Sequence, residues 1–262
     1  MQEGSLIPRF GRARRDPALA VLEGFHPLKH ALRFEAEVLT VAVRQGAPLD
    51  RLAAELAPDQ AERMLELARE VSHEVFAQLA PLPPTTGVIA LAARPAVDPA
   101  AILADPRPAP LVLLEDPRDL GNVGACVRVA AAAEAAGVLS TGSHDPWSPD
   151  ALRGAAGLHF ALPVARLDRL DALGPGSRPG VAAPARDRRP LVALDPEGEP
   201  LLPRRLPANA VLAFGTERYG LSEELLARAD ARVSIPMRAG VSSLNLATSV
   251  AAVLFAWRLS GA

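Results

Sequence analysis

Three consecutive stretches decide the fold: VLAFGTERYGLSEELL (211–226), RVSIPM (232–237) and AGVSSLNLATSVAAVLFAWRL (239–259). The first opens on a short apolar run that stops at Gly215. A polar turn follows, and Ser222 stands as a helix N-cap before Glu223 and Glu224. The second reads as a strand that Pro236 ends. The third is a Gly/Ser loop leading into one helix, rich in small residues, over 244–259. Strand, tight loop and helix N-terminus therefore occur twice in succession. In an open α/β sheet, the loops beyond the carboxyl ends of the strands are where ligands sit.

The same grammar appears upstream. LVLLED (111–116) reads as a strand, PRDLGNVG (117–124) as a loop, and ACVR (125–128) opens an alanine-rich helix. These three loops, in this order, resemble motifs 1, 2 and 3 of the SpoU (TrmH-like) branch of the SPOUT RNA methyltransferases. The resemblance covers roughly residues 110–260, and three ordered motifs are far more specific than any one alone. It implies an α/β domain with a parallel sheet and a deep trefoil knot, a feature that ordinary fold rules exclude. It also implies S-adenosylmethionine as methyl donor, RNA as acceptor and a homodimer as the working form.

The rest of the chain supports a two-part reading. Residues 1–17, with Arg9, Arg12, Arg14 and Arg15 around Gly11, read as a flexible basic arm, either solvated or touching RNA. Residues 18–97 read as a small α/β unit. Leu28, Ala31, Leu32 and Glu35 follow helical spacing after His26 and Pro27, EVLTVAV (37–43) is a strand, and residues 52–57, 61–67 and 71–79 are helical. PLPPTT (81–86) breaks the chain before the strand GVIALA (87–92). LEGFHPLKHAL (22–32) with this later strand resembles the substrate-binding domain of many SpoU enzymes, a fold like ribosomal protein L30e. The proline-rich DPAAILADPRPAP (98–110) reads as a linker, which places the methyltransferase domain at 111–262. Within it, Leu152 to Gly157 (LRGAAG) resembles a further family segment. Residues 174–190, rich in Pro, Gly and Arg, read as a surface loop whose Arg186, Arg188 and Arg189 are either solvated or in contact with RNA.

Composition narrows the possibilities. At 262 residues the chain can form one large domain or two modest ones, and 49% hydrophobic with 22% charged residues is ordinary for a globular protein. The single cysteine, Cys126, excludes an internal disulfide and a cysteine-rich zinc site; its place on an apolar helix side marks a buried structural thiol. His26 and His30 stand one helical turn apart, but no third metal ligand accompanies them. With Lys29 they form either an RNA contact or a polar helix face. No apolar segment follows the basic first residues, and the longest apolar run, 251–257, is too short to span a bilayer. A cytoplasmic protein is expected. The net charge of −2 means that any RNA-binding surface is local. Arginine suits bidentate phosphate contacts, although an Ala/Arg/Pro-rich chain equally reflects a GC-rich genome.

The motifs imply definite roles. Holding an adenine needs close backbone approach, free backbone donors and acceptors, and an apolar slot. By resemblance Gly215, Ile235 and Leu244 bind the cofactor; singly, each is also an ordinary turn glycine or core residue. The acceptor the family implies, a ribose 2′-hydroxyl, must lose a proton during transfer. The family pattern assigns Arg128 to that step. A guanidinium does not readily deprotonate, so its alternative role is to clamp phosphate and orient the hydroxyl. Asn122 bonds the substrate or Arg128, or caps the following helix. Glu217 pairs across the site or faces solvent. Ser243 is a natural N-cap, and Asn245, just inside a helix, is poorly favoured by propensity. No step needs a metal. Ribosomal RNA is favoured as substrate over transfer RNA because of the extra N-terminal unit. Two other classes remain: a doubly wound nucleotide-binding enzyme, whose glycine-rich fingerprint is missing after the first strand, and an RNA-binding module without catalysis.

Overall fold

The computed structural model describes residues 3–174, 188–202, 204, 206–216 and 219–261. They fall into two compact units, Met1–Ala96 with Trp147–Ala161, and Val97–Pro146 with Leu162–Ala262.

In chain order the first unit contains α1 (Leu6–Ala13), β1 (Leu19–Glu23), α2 (Phe25–Arg33), β2 (Val38–Arg44), α3 (Leu49–Leu56), α4 (Ala61–Leu67), β3 (Ala68–Val71), α5 (His73–Ala77) and β4 (Val88–Ala93). The second begins with α6 (Pro99–Leu103), β5 (Leu111–Leu114), α7 (Leu120–Ala132) and β6 (Gly137–Ser140). The chain then supplies α8 (Pro149–Gly154), which belongs to the first unit, before returning with β7 (Val164–Arg166), β8 (Leu191–Pro200), β9 (Val211–Phe214), α9 (Glu223–Arg228), β10 (Ala231–Ser234) and α10 (Leu246–Leu259).

The first unit has a mixed sheet in the order β1-β4-β2-β3; β4 runs antiparallel to both its neighbours, and β2 pairs with β3 in parallel. Three expectations change here. Residues 1–17 are not an arm throughout: Leu6, Phe10 and Ala13 lie on one face of α1 and are buried in the core with Val21 and Leu91. Arginines and Gly11 obscure this i, i+4, i+7 stripe. Arg14 donates to the Leu79 carbonyl at 3.0 Å and pairs with buried Glu23 at 2.6 Å, and Arg153 of α8 pairs with the same carboxylate at 2.8 Å. Second, residues 19–23 form a strand that periodicity does not reveal, because four of its five residues are buried and no alternation survives. Third, residues 71–79 are not one helix. Val71 ends β3, and Ser72 caps α5 by accepting the Val75 N–H.

The second unit is a six-stranded sheet in the order β10-β8-β9-β5-β6-β7, with every pair parallel. β5, β6 and β9 are buried at every residue, which suits strands covered on both faces. The 98–110 segment is more than a linker. Asp98 caps α6 by accepting the Ala100 N–H at 2.9 Å, Pro99 takes the first helical position, and Ile102 is buried in this unit's core. Cys126 is buried on α7.

Arg188 and Arg189 are structural. Both oxygens of Asp230 accept from Arg188, at 2.6 and 2.8 Å, and Asp230 also accepts the Leu191 N–H at 2.8 Å. Arg189 is buried and donates to the carbonyls of Asp105 (2.6 Å), Ala109 (2.7 Å) and Asn209 (3.1 Å). Burial pulls its guanidinium below the ordinary arginine range, opposed by the Asp105 carboxylate. Arg186 lies outside the described residues.

Candidate active site at the carboxyl edge of the parallel sheet

All strands of the second unit run the same way, so their carboxyl ends share one edge. Three of the sequence motifs leave from it: the loop after β5, the turn after β9, and the segment between β10 and α10.

The loop after β5 enters α7 through Asp119, whose carboxylate accepts the Asn122 N–H at 2.8 Å. Asp119 is therefore the cap, and Asn122 lies inside the first turn. The loop itself is tightly built. Asp116 adopts a φ of 42° and donates its N–H to the Thr141 hydroxyl at 3.0 Å. A side chain at Gly142, itself at φ 83°, would meet the Asp116 carboxylate.

The turn after β9 folds back on itself. Thr216 and Gly220 exchange both main-chain hydrogen bonds, at 3.1 and 3.0 Å. A Cβ on Gly215 would stand 2.0 Å from the Gly220 carbonyl carbon, so only glycine fits there. Ser222 caps α9 by accepting the Leu225 N–H at 3.1 Å, as its position before Glu223 and Glu224 predicts. Glu217 lies outside the described residues.

The third motif departs from its sequence reading in one respect. The helix starts at Leu246, two residues later than expected, and its cap is Asn245 rather than Ser243. The Asn245 side-chain oxygen accepts from Ala247 N–H (2.9 Å) and Thr248 N–H (3.3 Å). Asparagine is disfavoured inside a helix and favoured at its cap, which removes the propensity objection. Ser243 is exposed in the preceding loop.

Capping fixes which way the Asn245 amide faces. Its oxygen is held by the two helix N–H groups, and its nitrogen donates to the Asn122 side-chain oxygen at 2.9 Å. Motifs 1 and 3 therefore meet through two side chains. Gly215 and Ile235 follow the carboxyl ends of β9 and β10 and are half-buried; Leu244, just before the α10 cap, is 36% exposed. Val241 (47%) and Tyr219 (77%) add exposed apolar surface in the same loops. Incompletely covered apolar groups at strand ends fit the apolar slot an adenine needs.

Arg128 is not joined to this constellation. It stands on the exposed stripe of α7, with Gly121 and Ala132, and among the described residues it has no ion pair or hydrogen bond. Its neighbours Cys126 and Val127 are buried, whereas Arg128 is exposed. Among the described residues no group of three or more His, Cys, Asp or Glu could hold a metal, and no helix is long and apolar enough to cross a membrane. In the first unit His30 holds the Ala156 carbonyl at 2.7 Å through Nδ1, and burial pulls its pKa below the usual histidine value.

The model of the SpoU rRNA Methylase family matches residues 109–255, which include every loop just described. The chain belongs to the SpoU rRNA Methylase family. This SpoU chain is 31% identical, over 144 residues, to a 23S rRNA (uridine(2479)-2′-O)-methyltransferase of Streptomyces viridochromogenes, covering 52% of this chain and 47% of that protein. It spans about half the length of the curated relatives it matches. Its fold is that of the SpoU methyltransferase AviRb from Streptomyces viridochromogenes, crystallised with AdoMet: the TM-score is 0.73 at 22% identity, over 97% of each chain. A crystal structure of an RNA 2′-O ribose methyltransferase gives 0.69 at 27% identity, over 96% of each chain.

Proposed function

We propose that this SpoU chain transfers a methyl group from S-adenosylmethionine to a ribose 2′-hydroxyl of RNA, with ribosomal RNA preferred and transfer RNA the alternative. The observation that carries the reading is the 2.9 Å Asn245–Asn122 bond at the sheet edge from which the Gly215 turn also leaves. Three motifs far apart in sequence converge on the edge where open α/β sheets take ligands. When bound, S-adenosylmethionine supplies an electrophilic methyl group on a sulfonium. Gly215, Ile235 and Leu244 hold its adenine through backbone groups and apolar walls. Asn122 and Asn245 orient the acceptor ribose, and Ser243 and Glu217 belong to the same proposed set of catalytic residues. Arg128 clamps the neighbouring phosphate and aligns the hydroxyl; transfer of the methyl would break its bond to sulfur, leave the neutral thioether, and pass the hydroxyl proton to solvent water.

Exposure supports the dimer. Along α10, Thr248, Ala252, Phe255 and Leu259 form one exposed stripe, with Phe255 at 38% and Leu259 at 83%. α7 packs beside α10 and carries Arg128 on its own exposed stripe. A two-fold partner seated on these helices covers the apolar stripe and brings Arg128 to a shared site. The first unit, read as L30e-like, binds the RNA; the knot and a cytoplasmic location belong to the same reading.

The test is methyl transfer from radiolabelled S-adenosylmethionine to unmodified ribosomal and transfer RNA in parallel, with Arg128→Ala alongside. Label at a ribose 2′-oxygen of ribosomal RNA, lost in the variant, is the expected result. Label in transfer RNA alone reverses the substrate. No label and no cofactor binding leaves an RNA-binding protein on a methyltransferase scaffold and overturns the reading.

A further inference from the structure

Glu115 directly follows β5, and its two halves hold the two ends of the Gly215 turn. Its main-chain N–H donates to the Phe214 carbonyl at 2.9 Å, at the point where β9 ends. Its carboxylate accepts from Ser222, the residue at which the turn becomes α9: the Ser222 N–H lies 2.7 Å from Oε2, and the hydroxyl lies 2.5 Å from Oε1. The Ser222 oxygen can donate to Glu115 while accepting the Leu225 N–H, so one hydroxyl serves both contacts. Between these anchors Gly215 lies against the Gly220 backbone, too close to admit a Cβ.

A cap alone does not require this arrangement. Ser222 caps α9 through its own oxygen, and the main-chain bond of Glu115 belongs to the sheet. The carboxylate adds a bidentate, charge-assisted tie between the motif 1 strand and the motif 2 turn, across 107 residues. It also aims a negative charge at the N-terminus of α9, where the helix dipole favours it.

We propose that Glu115 is a positioning residue for the cofactor: it fixes how closely Gly220 lies to Gly215 without touching the substrate, and Ser222 is the group through which it acts. The inference rests on the methyltransferase reading above. Removing the carboxylate leaves the strand pairing intact and frees Gly220 to shift from Gly215, so cofactor affinity falls while RNA affinity does not.

The test is titration of the purified protein with S-adenosylmethionine, comparing wild type, Glu115→Ala, Glu115→Gln, Ser222→Ala, Ser222→Thr and the double variant Glu115→Ala/Ser222→Ala. The bonds are partly solvent-exposed, so the expected loss for Glu115→Ala is about three- to tenfold in Kd. Glu115→Gln, which keeps one acceptor, falls between and serves if the alanine variant folds poorly. Ser222→Thr, which keeps hydroxyl and cap, stays within about twofold of wild type. The double variant is no weaker than the worse single variant, because both act through one contact. The KM for RNA stays near wild type, and exchange of the Thr216 and Gly220 amides quickens in the Glu115 variants. Wild-type binding with unchanged affinity in both Glu115 variants overturns the inference and leaves the enzyme reading standing, even if melting temperature drops. Failure of the wild type itself to bind the cofactor overturns the reading, and the inference with it.

Discussion

The two edges of the six-stranded sheet are built on opposite terms. At the amino edge, one buried guanidinium does most of the joining. Arg189, just before β8, holds the carbonyls of Ala109 before β5 and Asn209 before β9, and Asp230, just before β10, holds the Leu191 N–H. At the carboxyl edge the ties are smaller and wetter: Glu115 to Ser222, Asn245 to Asn122, Thr216 to Gly220. A buried charge held by three carbonyls through both of its terminal nitrogens favours one arrangement and costs heavily to disturb. Exposed neutral and charge-assisted bonds cost little to break and leave room for a ligand. The difference separates an edge that keeps the fold from an edge that can change its partners.

The strongest way to break this contrast is to weaken the amino edge. Arg189→Met keeps the apolar stem but leaves three partly buried carbonyls without their donor, so it is expected to lower unfolding free energy by about 2–4 kcal/mol. Urea denaturation reads it, and an effect under ~1 kcal/mol would mean that the buried guanidinium is not what fixes that edge. Where the variant remains folded, its cofactor Kd should equal that of wild type.

Arg128→Ala is the opposite case. The residue is exposed and unpaired among the described residues, so its loss should leave the melting temperature unchanged. Turnover should fall about 100-fold or more, the scale of a lost transition-state positioning or charge contact. Equal turnover in single-turnover assays would exclude Arg128 from the chemistry.

Gly215→Ala falls between the two. The added methyl would sit 2.0 Å from the Gly220 backbone, so the turn must open or β9 must shift. The expected cost is about 1–3 kcal/mol of stability, typical of overpacking, with cofactor binding weakened well beyond what Glu115→Ala produces. Calorimetric titration beside a melting curve separates these two effects.

How much of each edge is legible in the sequence follows the same division. The carboxyl edge announces itself through glycine, asparagine and N-cap chemistry, because tight turns and helix starts restrict residue type locally. Gly215, Asn122 and Asn245 stand out for that reason, although local propensity alone puts the α10 cap at Ser243 and misses Asp119 as the cap of α7. The amino edge is silent. Arg188 and Arg189 sit in a Pro/Gly/Arg-rich stretch that resembles a solvated loop, and their carbonyl and carboxylate partners lie up to 84 residues away. Glu115 is hidden similarly, since an acid after a buried strand has many ordinary uses. The α1 stripe and β1 were missed for a different reason: short buried segments carry too few periods to be read.

The smallest expected effect is also the one that sharpens the comparison most. Asn245 does two jobs, capping α10 through its oxygen and orienting Asn122 through its nitrogen. Asn245→Ala loses both and should cost about 1 kcal/mol of stability, the usual worth of a cap. Asn245→Ser keeps a capping oxygen but has no amide to reach Asn122, so stability should return to within a few tenths of a kcal/mol of wild type. If the carboxyl edge is organised for chemistry, methyl transfer should stay depressed in the serine variant while its thermal melt recovers. Recovery of both together would mean that the Asn245–Asn122 contact merely accompanies the cap, and that the edge is held for the same reason as the other.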